Sequence, residues 1–393
     1  MTIAPPPDPI AAVTHPDPYP YYRDLVARAP MHRDEALGLW VAASADAVTA
    51  ALASRLGRVR PAAEPVHAAL AGSPAADIFG RLVRMTDGPG HVAMKRAVSA
   101  TLSSGLAARA LEPAERWARR LAAEIDARSS LARLDEFTFA LSAHVLGHLL
   151  GVPEEAAARW GAGYTAGVAP GADAAQVTQA QAAAGRLIEM VGALSTDRGP
   201  HAPASLSAML QREASRAECP DAAAVVANAI GFMTQAYEAT AGLVGNTLLA
   251  LAARPELRAQ VEGAPARLRE VIREVLRHDP PVHNTRRFIA ADGAIAGERV
   301  AAGDTVLVVL AAANHDTAAN PHPERFDVAR ANRQTFTFAD AIHACPGEQL
   351  AIAIAEAGVG QLLARGVPVG ALRGAAHYRP SGATRVPLFG SAG

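Results

Sequence analysis

Cys345, one of two cysteines in the sequence, lies directly before a long predicted helix in the stretch HACPGEQLAIAIAEAG. The first turn of such a helix directs free backbone N–H groups and the positive end of the helix dipole toward the sulfur. This arrangement favours a thiolate, which is both a nucleophile and a metal ligand. The alternative interpretation is an unreactive, buried cysteine at a helix start.

Glu238 is the second residue with possible chemistry, because it lies in QAYEATAG, inside the most apolar part of the chain. Helical character begins at Asp221, a predicted N-cap, and runs for about thirty residues to Pro255. The segment is apolar nearly all round, so we expect it to cross the interior. A carboxylate there is costly unless it is paired or hydrated. Glu238 therefore predicts either a water-filled path or a local salt bridge.

Glu274 and Arg277 lie three residues apart in REVLRHDPPVHNTRR, where the helical spacing lets their side chains pair. Taken alone, such a pair is usually part of a solvated helix face. Downstream, the segment PERF (Pro323–Phe326) precedes the cysteine loop. The residues alone leave a structural role for the pair as an alternative.

The composition excludes several classes of protein. The 393 residues carry a formal charge of −1, which argues against nucleic acid or an anionic membrane surface as the main partner. Two cysteines make no disulfide framework, so a reducing compartment, the cytoplasm, is expected. The longest uncharged run, from Ala222 to Tyr237, is too short and polar to span a membrane. We expect a soluble, monomeric protein.

The elements that must position these residues are mostly helices, followed by short strands such as TVLVVL between Pro281 and the cysteine loop. No internal repeat and no low-complexity linker divides the chain. The sequence predicts a mainly α fold with a small β portion, formed as one domain over residues 1–393.

Together these segments resemble the cytochrome P-450 signature. Phe338, His343, Cys345 and Gly347 occupy the places of its phenylalanine, basic residue, cysteine and following glycine. The resemblance covers essentially the whole chain and implies the cytochrome P-450 fold. It also implies haem b between the long central helix and the cysteine-loop helix, with the Cys345 thiolate as the axial iron ligand.

The resemblance assigns further residues to the proximal side. The haem propionates would be held by His91, Lys95, Arg287 and His343, with Lys95 where an arginine is usual. The Glu274–Arg277 pair would bind the arginine of PERF, Arg325, and hold this side together. Ala339 and Ala341 occupy two positions where glycine is common, which predicts a slightly different loop.

On the distal side, the resemblance gives Glu238 the role of the acid that helps to deliver protons during oxygen activation. The alcohol expected next to it is replaced by Ala239. Thr240 follows, but one residue is about 100° of helix rotation, so a π-bulge would be needed to bring its hydroxyl in. Gln235 shares a face with Ala239, so its amide could lean over the haem instead.

The resemblance implies a monooxygenase that uses dioxygen and two electrons from a ferredoxin and its reductase, since no flavin or iron–sulfur segment is fused to the chain. The substrate would be a small organic molecule, such as a secondary metabolite. Two alternatives stay open: haem-thiolate chemistry of another kind (peroxide-driven oxidation, coupling, dehydration or rearrangement), or a haem-binding sensor with little turnover. Expected substrate contacts are Tyr237, Ala239, Val282, His283 and Asn284.

Overall fold

The computed structural model describes residues 3–61, 63, 64, 66, 68–125, 131–169, 171–196, 205–219 and 221–390. The helices in this part of the chain are α1 (Tyr19–Arg28), α2 (Ala45–Ala53), α3 (Pro74–Arg81), α4 (Pro89–Thr101), α5 (Ser104–Ala122), α6 (Ala132–Leu150), α7 (Glu154–Val168), α8 (Ala174–Thr196), α9 (Leu206–Arg216), α10 (Ala222–Ala252), α11 (Pro255–Gly263), α12 (Leu268–His278), α13 (Leu310–Asn314) and α14 (Glu348–Ala364).

The strands are β1 (Met31–Asp34), β2 (Leu39–Ala42), β3 (Gly57–Arg58), β4 (Thr285–Ile289), β5 (Gly293–Ile295), β6 (Glu298–Val300), β7 (Thr305–Val308), β8 (His377–Tyr378) and β9 (Pro387–Leu388). One sheet has the order β1-β2-β7-β4-β3, in which only the β2–β7 pair is parallel. The β5–β6 and β8–β9 pairs are separate antiparallel hairpins. The expected mainly α fold with a small β portion is confirmed.

Helix α10 is the centre of the largest hydrophobic core. It starts as predicted, because the Asp221 carboxylate accepts a hydrogen bond from the Ala224 N–H at 3.0 Å. Most of its residues are buried, and α3, α6, α7, α12 and α14 pack against it. An apolar surface on every side requires this burial. None of the described helices is both long and apolar enough to cross a membrane.

The β8–β9 hairpin joins distant parts of the chain through Arg385, whose surface is 1% exposed. Its guanidinium lies 2.9 Å from the Asp279 carboxylate at the end of α12. It also donates to the carbonyl oxygens of Val13, His15 and Pro16 at 2.9, 2.7 and 3.2 Å. The N-terminal segment, α12 and this hairpin are therefore fixed around one buried cation.

Candidate haem-thiolate site

The Cys345 sulfur lies just before α14, which begins at Glu348. The Cys345 N–H donates to the Phe338 carbonyl at 2.8 Å, and the Gly347 N–H donates to the sulfur at 3.4 Å. Burial raises the pKa of the Cys345 thiol, and this effect outweighs the Gly347 N–H and the Lys95 ammonium, which lower it. The helix start favours the thiolate, as expected, but this effect does not by itself offset the burial of the sulfur.

The loop before Cys345 keeps a glycine-like backbone although two of its residues are alanines. Ala339 has φ of 55° and Ala341 has φ of 58°. L-residues other than glycine rarely adopt this left-handed region, because the Cβ atom approaches the backbone. The two alanines therefore adopt the positive-φ conformation that glycine would allow at these positions, and the loop carries the strain.

Three of the four predicted propionate-binding residues lie near the cysteine loop in direct contact with one another or with the loop. The rings of His91 and His343 are 4.3 Å apart, and Nε2 of His91 lies 3.2 Å from the Ile342 carbonyl oxygen. The Lys95 ammonium donates to the Ala344 carbonyl. Arg287 is buried, and its charge acts on His343. The structure therefore places the four predicted residues in one cluster, and their binding to propionates stays a prediction.

Asp87 is a residue of this cluster that the sequence did not indicate. Its carboxylate lies 3.2 Å from Nε2 of His343 and accepts the Val59 N–H at 3.1 Å. Burial, followed by the charges of His91 and Arg287, lowers the pKa of His343 to about 4, although Asp87 acts in the opposite direction. In the sequence, TDGPG is typical of an ordinary turn before a helix, so no signal marked Asp87.

The donor set fits a haem. The single sulfur is exposed by area yet surrounded by protein, as expected for a group on the wall of an internal cleft. The positive charge of the neighbouring side chains exceeds the single negative charge of Asp87. Nδ1 of His343 is buried without a hydrogen-bond partner in the described part of the chain. An excess of cations beside a thiol is suited to a planar group that carries carboxylates on one edge and a metal at its centre.

Glu274 and Arg277 form a fully buried ion pair, with Nη2 of Arg277 2.7 Å from Oε1 of Glu274. The partner of this pair differs from the prediction. Nε of Arg333 lies 2.8 Å from Oε2 of Glu274, whereas the exposed Arg325 contributes its carbonyl oxygen to Arg277 at 3.0 Å. The Asp327 N–H also donates to Glu274 at 3.1 Å. Buried charges need several such partners, and Arg333 supplies the guanidinium assigned to Arg325.

On the distal side, Glu238 is stabilised by a local salt bridge, which is one of the two expected solutions. Its carboxylate lies 2.6 Å from Nη1 of Arg379 and accepts the Thr384 hydroxyl at 3.0 Å. Both partners belong to the β8–β9 hairpin region. No local pattern indicated Arg379, because its contact with α10 spans 141 positions.

The residues around Glu238 lie as a regular helix places them. All residues of α10 are α-helical, so no π-bulge rotates Thr240, which is buried. The Gln235 amide donates to the Gly231 carbonyl at 3.0 Å. Gly231, Gln235 and Ala239 follow one another at four-residue intervals and share one face. The Gln235 side chain thus binds its own helix in this structure.

Three of the five residues expected to contact the substrate, Tyr237, His283 and Asn284, have other partners in the structure. Tyr237 packs against Phe139 with ring centroids 5.1 Å apart, and both line a surface cleft of about 400 Å³. Two residues correspond to about 200° of helix rotation, so Tyr237 faces away from Gln235. His283 is fully buried with Nδ1 2.9 Å from the Tyr22 hydroxyl, and Asn284 is buried and donates to the Gly382 carbonyl at 2.8 Å.

The two remaining residues keep their expected side. Val282 is half-buried and forms a β-bridge with Thr384, the residue that donates to Glu238. Ala239 is also half-buried and precedes Thr240 on α10. These residues stay candidates for contact with a substrate.

A helical fold with a cysteine loop, a cationic cluster and a carboxylate on the facing helix defines a haem-thiolate class of protein, and comparison with known proteins agrees. A cytochrome P450 family model matches residues 267–365. The cytochrome P450 monooxygenase PikC of Streptomyces venezuelae is 30% identical over 363 residues, which cover 89% of this chain and 84% of that protein. The 6-deoxyerythronolide B hydroxylase of Saccharopolyspora erythraea is 27% identical over 86% of this chain and 85% of its own length.

Solved structures agree as well. The crystal structure of CalO2 superposes with a TM-score of 0.85 and 25% identity, over 97% of this chain and 96% of that one. P450BioI, solved with an acyl carrier protein, gives a TM-score of 0.80 and 20% identity, over 94% and 96%. The chain belongs to the cytochrome P450 family. It is an oxidoreductase of that family, whose cofactor is haem with a cysteine thiolate as proximal ligand.

Proposed function

We propose that this protein is a monooxygenase that holds haem b through Cys345 and oxidises a small organic molecule of the secondary-metabolite type. The observation that carries the proposal is the convergence of the Cys345 sulfur with two cations, Lys95 and Arg287, and two histidines, His91 and His343, beside one loop. The relatives named as the cytochrome P450 monooxygenase PikC and as 6-deoxyerythronolide B hydroxylase support the substrate class by analogy.

The haem, when bound, supplies the redox chemistry that activates dioxygen. The protein's contribution is to position it. Cys345 would bind the iron, while Arg287, His91, His343 and Lys95 would bind the two propionates. Lys95 already contacts the backbone at Ala344, so it acts as a point charge that also fixes the cysteine loop.

Glu238 is the group on this helix that can hold or pass a proton near the reacting atoms. Its side chain is 21% exposed and that of Arg379 is 31% exposed, so the ion pair keeps contact with solvent. A carboxylate that can exchange Arg379 for water is able to carry protons inward. Ala239 has no hydroxyl, so the next acceptor in the path must be water, the Gln235 amide or a hydroxyl of the substrate.

Electrons would come from a ferredoxin and its reductase, which we place at the proximal face near α5. Helix α5 packs against α14, the helix that follows Cys345. Arg119 is exposed there, whereas Arg116 and Arg120 lie 3.0 and 2.7 Å from Glu112 and Glu154. An acidic ferredoxin would be attracted to the uncompensated charge. Its association rate should therefore fall steeply with ionic strength.

The test is the carbon-monoxide difference spectrum of the reduced, haem-loaded protein. We expect the Soret band of a thiolate-ligated haem. Cys345→Ser should abolish that band, whereas the matched variant Cys219→Ser should keep it. If wild-type protein loaded with haem lacks the band, the proposed ligation is refuted.

A second function has one observation in its favour: Ala239 lies where a proton-relaying hydroxyl is expected, and the regular helix keeps Thr240 away from that face. In this case the haem would use hydrogen peroxide or carry out coupling, dehydration or rearrangement. Product formation with peroxide but not with NAD(P)H and redox partners would favour it. Ala239→Thr should then alter coupling of electron use to product, and an unchanged product distribution would show that the missing alcohol does not determine the chemistry.

A further inference from the structure

Arg84 is held in a fixed position between the central helix and the cationic cluster. It is the middle residue of a short 3-10 helix, Val83–Met85. The N–H of Val83 donates to Oδ1 of Asn228 on α10 at 2.8 Å. The carbonyl of Val83 accepts from Nδ1 of His91 at 2.9 Å. The residue before Arg84 is therefore bound both to α10, through Asn228, and to the cluster beside Cys345, through His91.

Among the residues that the structure describes, the Arg84 guanidinium has no counter-ion at salt-bridge distance. Its side chain is exposed by area, yet protein surrounds it and burial lowers its pKa. A side chain with both properties lies on the wall of an internal cleft, as the Cys345 sulfur does. Within the described residues Arg84 forms no hydrogen bond or ion pair. Glu238 is near enough to act on its charge, but Arg379 and Thr384 already bind that carboxylate.

Tyr164, on α7, is a second group near Arg84. Its ring is 2% exposed, and its hydroxyl has no hydrogen-bond partner in the described part of the chain. The next residue, Thr165, approaches the Thr234 carbonyl of α10 at 3.5 Å, which fixes this turn of α7 against the central helix. Burial raises the pKa of Tyr164, while the charge of Arg84 lowers it. The phenol therefore stays protonated and can donate a hydrogen bond.

Both groups lie beside α10 and close enough for their charges to act on each other. A Cβ atom added at Gly231 would be 2.6 Å from Cδ2 of Leu82, so the segment that carries Arg84 contacts α10 at this glycine. Gly231 shares its helix face with Gln235 and Ala239. Arg84 is consequently on the side of α10 where we place the reacting substrate.

We propose that the substrate carries a carboxylate, which the Arg84 guanidinium binds with a further hydrogen bond from the Tyr164 hydroxyl. This inference rests on the proposed function, since it assigns a substrate class to the same site. A substrate that fills the cleft would displace water from the guanidinium, and a bound carboxylate would offset that cost. One cation balances one negative charge, and the guanidinium fork matches the two oxygens of a carboxylate. A doubly charged phosphate would leave an excess negative charge close to Glu238.

The experiment measures binding to the haem-loaded protein. The signal is the shift of the haem Soret band when the imidazole group of a probe binds the iron. The probes are ω-(imidazol-1-yl)alkanoic acids of increasing chain length and the matching ω-(imidazol-1-yl)alkanes without the carboxylate. The neutral probe reports on the haem and the cavity, while the ratio of the two dissociation constants reports on the carboxylate site. The variants are Arg84→Gln, Arg84→Lys and Tyr164→Phe. Arg81→Gln is the control, because Arg81 lies on the same segment but pairs with Asp77 at 2.7 Å.

At the best chain length we expect the acid to bind about tenfold to a hundredfold more tightly than its neutral match, as for charge-assisted hydrogen bonds. Arg84→Gln should remove this preference without changing binding of the neutral probe. Arg84→Lys should retain part of it, Tyr164→Phe should reduce it by about threefold to tenfold, and Arg81→Gln should leave it intact.

Equal binding of acid and neutral probes at every chain length would overturn the carboxylate inference and leave the proposed function standing. A preference that survives Arg84→Gln would overturn the role of Arg84. If neither probe shifts the Soret band and the thiolate band is also missing, the proposed function fails, and this inference fails with it.

Discussion

Replacing Ala341 by glycine should stabilise this protein, although the substitution removes a methyl group and raises the conformational entropy of the unfolded chain. At φ of 58° an L-residue loses about 1 to 2 kcal/mol relative to glycine. The extra entropy that glycine gives the unfolded chain costs about 0.4 to 1 kcal/mol. Ala341 is exposed, so its methyl group contributes little packing. The strain term is larger, and a net gain of about 0.5 to 1 kcal/mol is expected for Ala341→Gly.

Ala339→Gly should give a smaller gain. Its φ of 55° is nearly the same, but its methyl group packs against the hydrophobic cluster of the main sheet. Part of the strain relief is then offset by lost burial, at about 25 cal/mol per Å². The order of the two variants thus tests the separate contributions of strain and packing.

The assay is urea unfolding of haem-loaded protein, followed by helical circular dichroism and separately by Soret absorbance, so that haem loss is not mistaken for unfolding. The control is Ala344→Gly in the same loop, where φ is −51° and glycine relieves no strain. We expect this control to lose about 0.4 to 1 kcal/mol. If Ala341→Gly destabilises the protein as much as Ala344→Gly does, the strain argument is refuted.

Three further predictions concern buried and half-buried charges, each measured as the free energy of unfolding. Glu274→Ala should cost about 3 to 5 kcal/mol because it leaves buried guanidinium groups unpaired, whereas Arg325→Ala should change stability by less than about 0.5 kcal/mol. Arg379→Gln should cost less than about 1 kcal/mol despite its short contact with Glu238, since both side chains keep solvent contact; a larger loss would show that the pair is effectively desolvated. Burial holds the pKa of His283 well below its usual value, so the unfolded chain takes up the proton first. Stability should therefore fall by up to about 1.4 kcal/mol per pH unit below the unfolded pKa of about 6.5, and His283→Gln should flatten that slope.

Local patterns in the sequence were sufficient for the central helix and the proximal ion pair. Asp221 as N-cap follows from its position before an apolar run, and the Glu274–Arg277 spacing of three residues guarantees that the two side chains can meet. The cluster around Cys345 was also predictable, because motif order along the chain specified which distant cations approach the loop.

The predictions that differ from the structure concern residues whose position depends on side-chain direction or on contacts between distant parts of the chain. Tyr237 is two residues from Gln235, yet helical rotation turns it to the opposite face, a step that periodicity could have shown. Arg333 and Arg379 reach their partners across 59 and 141 positions, and no local pattern records such contacts. Arg84 resembles an ordinary surface arginine in sequence. Only the packing of its neighbours against α10 shows that it faces inward.

The buried Arg385 also sets an order of events during synthesis. Its hydrogen bond to the Val13 carbonyl joins residues 372 positions apart. At about 5 to 20 residues per second, the ribosome needs roughly 20 to 75 s to make the chain between them. Throughout that interval the carbonyl groups of the N-terminal segment lack the Arg385 guanidinium, and over the last 141 positions before Arg379 is made Glu238 lacks its ion-pair partner. The wall of the site formed by the β8–β9 hairpin can therefore close only after that hairpin has been synthesised, so haem can enter a nascent chain that is still open on that side.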